Sequence, residues 1–217
     1  MKIYPIAIRI AGLESYFDDI CIYVDLDNTL ICAREKSSLD EEDFKEISDS
    51  GYEYKEVVAG KKWIVGLRPG AKSFLEAVGE LGEVKLCTAA TKPYANAMLR
   101  AFELTRYFSE IISRENLDSN EMKEKYPCSI LVDDLPSGMP DIKSKLKVMG
   151  IPWDNSEFYR NNPNGGLLEE HKAEMAHHKN HHVNVAGFYG GIDDGDINLN
   201  EALAKVKIVL GRINRTM

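Results

Sequence analysis

The stretch ICIYVDLDNTL, residues 20–30, decides how this chain is read. Five unbroken apolar residues, Ile20 to Val24, run straight into Asp25 and Asp27, and such a run suits a central parallel strand buried on both faces. Two further runs have the same form, EVKLCTAA (83–90) and CSILVDD (128–134). Between them lie stretches of helical period. In AKSFLEAVGEL (71–81), Phe74, Ala77, Val78 and Leu81 recur at that spacing behind Pro69 and Gly70, and KPYANAMLRAFEL (92–104) reads the same way. A later strand, HVNVAGF (182–188), and a closing helix, NLNEALAKVKIVLGRI (198–213), continue the alternation. Strand following helix in this manner predicts an α/β fold, a three-layer sandwich around a mainly parallel sheet.

The 217 residues suffice for one full-sized core, and no shift of composition divides them, so a single domain over 1–217 is expected. Two segments break the rhythm. Residues 33–66 hold an acidic stretch and then GYEYKEVVAG and KKWIVGLRPG, whose alternation predicts a β-hairpin insertion turning near Gly60 and Lys61. Residues 136–181, rich in Pro, Asn, Gly and His, are too long for a simple connection and are expected to form an irregular insertion. A formal net charge of −8 argues against extensive nucleic-acid binding. No apolar run approaches the roughly 20 residues that span a bilayer, and the N-terminal stretch lacks a signal-peptide cleavage pattern, so the expected location is cytoplasmic. Cys21, Cys32, Cys87 and Cys128 make no CxxC pair and no zinc spacing, which predicts buried, reduced thiols.

In open parallel sheets, ligands bind beyond the carboxyl ends of the strands. All three strongest strands end there in reactive side chains: Asp25 and Asp27, then Thr88, then Asp133 and Asp134. An acidic pair on its own is as readily a helix cap or a turn as a site. Two acid pairs converging at one sheet edge repel each other unless a hard cation is present, and Mg2+ commonly shares its oxygen shell with phosphate.

The segment VDLDNTL matches the DxDxT pattern of haloacid dehalogenase phosphatases. The stretch GLRPGAKSFLEAVGELGEVKLCTAATKPYANAML resembles the branch of that superfamily acting on the C-terminal domain of RNA polymerase II. An RPG turn, a helix, a strand ending in a threonine-alanine pair and then a tyrosine-alanine pair follow in that branch's order, and RYFSEIISREN (106–116) is similar as well. The resemblance covers about 21–134 and, more loosely, VAGFYGGIDDGDINLNEAL near the C-terminus. It implies that Asp25 attacks phosphorus to give an aspartyl-phosphate and that Asp27 serves as general acid and then base. It further implies that Thr88 hydrogen-bonds a phosphate oxygen, and that Asp133 and Asp134 hold Mg2+ with the Asp25 carboxylate and the Asp27 carbonyl.

A cation must offset the repulsion between phosphate and the Asp25 carboxylate. Lys123, ten residues before Asp133, is the expected one, with Lys125 and Arg114 as competitors. Trp63 and Tyr54 either pack the hairpin on the body or line a substrate entrance; Arg68, which begins the RPG turn, is a candidate phosphate contact, although helix capping and entry explain Pro69 and Gly70 without one. His171, His177, His178, His181 and His182 form a cluster without fixed ligand spacing, better read as a solvated helix end than as a metal site. The expected activity is Mg2+-dependent phosphomonoester hydrolysis on a phosphorylated substrate. Phosphoproteins come first, nucleotides, nucleic-acid ends or small metabolites second, and a non-catalytic binding module last.

Overall fold

The structure is a computed structural model that describes residues 20–118, 128–135, 140–149, 182–190 and 199–213. Its main sheet has five parallel strands in the order β6-β5-β1-β7-β8: β1 (Ile20–Val24), β5 (Glu83–Cys87), β6 (Glu110–Ile112), β7 (Cys128–Asp133) and β8 (His182–Asn184). The five strands are short because each apolar run needs only to cross the core once. β1 lies in the centre, and the chain leaves it for β5 on one side and later returns for β7 on the other. That reversal leaves a crevice at the carboxyl end of β1.

The pleat sorts side chains by parity. Ile20, Ile22 and Val24 of β1, with Val84, Leu86, Ile130, Val132 and Val183, face one core. That core is closed by α2 (Ala71–Gly79), α3 (Lys92–Ala101) and α6 (Asn200–Ile213), through residues such as Phe74, Leu75, Met98, Leu99 and Val206. Cys21, Tyr23, Cys87, Ile112 and Leu131 face the opposite core, closed by α4 (Arg114–Asp118) and α5 (Pro140–Val148) through Leu117, Ile142 and Leu146. The fully apolar runs therefore serve two interiors at once, as a sheet covered on both faces requires. The α/β architecture with a central parallel sheet agrees with the expectation. Among the described residues, no helix is long and apolar enough to cross a membrane.

The segment after β1 folds as a second, antiparallel sheet of order β2-β4-β3, from β2 (Ile31–Glu35), β3 (Glu53–Ala59) and β4 (Lys61–Leu67). The hairpin turns at Gly60, whose φ of 70° favours glycine. The acidic stretch before it is a helix, α1 (Glu41–Asp49), started by a reciprocal capping box between Asp40 and Asp43. Of the expected irregular insertion over 136–181, only residues 140–149, which include α5, are among the described residues.

After β8 the chain ties the two sheets together. Phe188 N–H donates to the Asn28 carbonyl at 2.7 Å. Cys32 and Arg34 donate to the Tyr189 carbonyl at 2.8 and 3.1 Å, and Tyr54 donates to that of Gly190 at 2.7 Å.

Candidate active site

The loop after β1 begins as an extension of the strand, with Asp25 N–H donating to the Val132 carbonyl at 2.9 Å. It then turns through Asn28, whose φ of 58° is one that asparagine tolerates better than most residues. Buried Arg68 supports this loop from behind by donating to the Thr29 carbonyl at 3.1 Å, and it does not line the cavity. Arg68 of the RPG turn thus holds the loop, a role that its sequence did not disclose. Thr29, the last residue of the DxDxT pattern, links the loop to β7, its Oγ1 accepting from Asp134 N–H at 3.1 Å.

Asp133 at the end of β7 and Asp25, which extends β1 by one residue, keep the odd-numbered parity of their strands and so point to the face covered by α5. There Lys145 Nζ donates to Asp25 Oδ1 and to Asp133 Oδ2, both at 2.6 Å, with all three side chains almost wholly buried. Burial works against charge on Lys145, but Asp25 and Asp133 outweigh it and hold the ammonium above the usual lysine range. Burial likewise pushes the Asp25 and Asp133 carboxyls up, against the pull of Lys145. Asp27 and Asp134, each pushed up to about 6 chiefly by burial, complete a crowded group of acids.

Carboxylate oxygens of Asp25, Asp133 and Asp134 lie within 4.8 Å of one another. Three hard oxygen donors and one lysine leave an excess of negative charge when the acids ionise, so this donor set fits Mg2+. Asn184 of β8 steadies the acidic loop by donating to the carbonyls of Asp134 and Leu135, each at 2.9 Å.

A cavity of about 530 Å3 opens onto these groups. On its β5 side Thr88, buried and held by its N–H to the Ile112 carbonyl, accepts at Oγ1 from Ala90 N–H at 3.1 Å. Tyr94, in the first turn of α3, donates to Asp27 Oδ1 at 2.7 Å. Trp63 of the hairpin lines the cavity and also packs edge-on against Tyr94, with centroids 5.3 Å apart. Tyr54 packs the hairpin instead, its ring pressed against Gly66.

The structure brings Asp25, Asp27, Thr88, Asp133 and Asp134 to one sheet edge. Lys123 and Lys125 lie outside the described residues, as do His171, His177, His178 and His181, while His182 is buried in β8. Arg114 lines the cavity with its Nε donating to the Ala89 carbonyl at 2.7 Å. Among the described residues, the lysine that meets the acids is Lys145, a position the ten-residue spacing did not point to. A signal for it exists: Ile142, Leu146 and Met149 form a helical apolar stripe, and Lys145 falls on that stripe, where an unpaired lysine is rare.

A parallel sheet with an acid cluster, a buried lysine and a threonine at its switch point defines a protein of the haloacid dehalogenase type. Residues 20–137 match the model of the NLI interacting factor-like phosphatases, and the chain belongs to that family. The chain is similar to the fission yeast RNA polymerase II CTD phosphatase Fcp1 bound to beryllium fluoride, with a TM-score of 0.47 and 21% identity over 92% of this chain and 65% of that one. A second structure, of the essential RNA polymerase II CTD phosphatase Fcp1, gives 0.48 and 17% over 94% of this chain and 65% of that one. The chain therefore spans 65% of the length of each. No curated protein matches it.

Proposed function

We propose that this protein is a Mg2+-dependent phosphomonoesterase that works through an aspartyl-phosphate on Asp25. The observation that carries the reading is the buried contact of Lys145 with Asp25 and Asp133, beside Asp27 and Thr88 at the mouth of one cavity. A buried carboxylate held by one ammonium is oriented for attack and is kept ionised by it.

Asp25 forms a bond to phosphorus as the ester P–O bond breaks, and the leaving oxygen takes a proton from Asp27. Water then gives its proton to Asp27 and attacks phosphorus, releasing inorganic phosphate and restoring the Asp25 carboxylate. Thr88 holds a phosphate oxygen through its O–H, since its own oxygen already accepts from Ala90. Lys145 offsets the charge that accumulates when phosphate meets Asp25. Asp25, Asp133 and Asp134, with the Asp27 carbonyl, would hold Mg2+, which when bound neutralises phosphate against the surrounding acids.

The substrate class we favour is a phosphorylated residue in a protein segment. The order of RPG turn, threonine-alanine pair and tyrosine-alanine pair shared with the polymerase-directed branch supports it. The enzyme should hydrolyse p-nitrophenyl phosphate with Mg2+ and stop when EDTA removes it, and Asp25→Asn should lower kcat by at least about a thousandfold. Undiminished turnover by that variant, or an inactive wild type with metal, would overturn the mechanism. Phosphopeptides, nucleotides and phosphorylated oligonucleotides compared by kcat/KM then rank the substrate classes.

A further inference from the structure

We propose that Tyr94 is a positioning residue for Asp27, and that Trp63 carries this support back to the β3-β4 hairpin. The inference rests on the reading of Asp27 as proton donor given above. Its basis is a continuous set of contacts. Trp63 Nε1 donates to the Ala59 carbonyl at 3.3 Å, which fixes the indole within the hairpin. The indole meets the Tyr94 ring at 5.3 Å and 80°, an edge-to-face pairing that restrains the phenol. Tyr94 in turn donates to Asp27 Oδ1 at 2.7 Å. Ala59, Trp63, Tyr94 and Asp27 all line the same cavity.

The chemistry of the pair gives Tyr94 one role. A phenol keeps its proton at neutral pH and a carboxylate oxygen only accepts, so Tyr94 is the donor of this pair. A donor at Oδ1 commits that oxygen and leaves Oδ2 to carry the proton that passes to the leaving group. It also fixes a carboxyl that otherwise rotates about its side-chain bonds, and a misplaced acid transfers protons poorly. Asp27 lies two residues beyond Asp25 in the loop after β1 and lacks the Lys145 contact that holds Asp25, so it depends on such a partner more than Asp25 does.

The leaving group reports on this directly. A p-nitrophenolate departs with little protonation, whereas phenolate or an alkoxide needs the acid. The test measures kcat/KM, which covers the first chemical step, for p-nitrophenyl phosphate and phenyl phosphate in wild type, Tyr94→Phe, Asp27→Asn and the double variant, all with Mg2+. Tyr94→Phe is expected to lose about tenfold more activity on phenyl phosphate than on p-nitrophenyl phosphate, the scale of one hydrogen bond to a charged group. In the Asp27→Asn background, Tyr94→Phe should leave the ratio between the two substrates unchanged. Trp63→Leu, which keeps the phenol but removes its brace, should skew the ratio in the same direction by a smaller factor.

Equal losses on both substrates, or none, in a folded Tyr94→Phe protein would overturn the positioning role while leaving the phosphatase reading intact. The same holds for a skew that persists without Asp27. A wild type inactive on both substrates would overturn the phosphatase reading and this inference with it.

Discussion

Lys145 sits where two buried acids would otherwise face each other, and its removal should be felt in two ways. Lys145→Met leaves Asp25 and Asp133 without their shared cation, which costs about 3–5 kcal/mol of stability for a broken buried pair. It should also lower kcat by a hundredfold or more, because phosphate must then approach uncompensated carboxylates. Lys123→Ala, by contrast, should change kcat less than about threefold by the same argument, since the acids already have their cation. Urea unfolding and steady-state rates on the two variants decide between the lysines, and a dead Lys123→Ala with an active Lys145→Met would reverse the assignment. The acids themselves were legible because each stands where an unbroken apolar run stops. Lys145 was not, because a charge inside a helical apolar stripe reads as surface until the stripe is known to be buried, and a ten-residue spacing before Asp133 carries little information.

Among the elements, the parallel strands β1, β5, β7 and β8 and the helices α2, α3 and α6 were readable from periodicity, which burial imposes directly, whereas the three-residue β6 was not. The helix α1 was hidden because it buries no residue and its apolar face is reduced to Phe44 and Ile47 among acidic neighbours; its start is set locally by the Asp40 capping box. The short β2 strand was hidden too, its buried Ile31 and Cys32 giving way at once to half-buried residues. Packing also separates two glycines three residues apart. A Cβ on Gly82 would lie 2.6 Å from the Ile20 carbonyl oxygen, where the start of β1 cannot yield, so Gly82→Ala should cost about 2 kcal/mol. Gly79, at the end of α2, has nothing within 4 Å of such a Cβ, and Gly79→Ala should stabilise by about 0.5 kcal/mol. Thermal melts of the pair should move in opposite directions; a shared sign would mean that β1 and the turn before β5 do not approach as described.

At the scale of the whole molecule, pH acts through groups of opposite sign. Burial, helped by Lys145, lowers His182 to about 4, so the unfolded chain takes up its proton first and stability falls as pH drops from about 6.5 to 4. Asp27 and Asp134, raised to about 6, are protonated first in the folded state and favour folding as pH falls through the same range. His182→Asn removes one side of this balance. In EDTA, the stability of wild type relative to the variant should fall by about 3 kcal/mol between pH 7 and pH 4, and a flat difference would mean that His182 is as free to ionise in the fold as in water. The fold as a whole was legible because each strand runs through the core once, whereas contacts between distant segments leave no local pattern. The place of α5 is such a contact. The family-matched segment ends at residue 137, yet Lys145 lies beyond it. A version trimmed to that segment would keep Asp25, Asp27, Thr88 and both acids of the Asp133-Asp134 pair but lose their counter-charge. Cutting the chain between Leu135 and Pro140 would thus divide the site into an acidic half and a basic half, and turnover would become a reporter of whether the two had come back together.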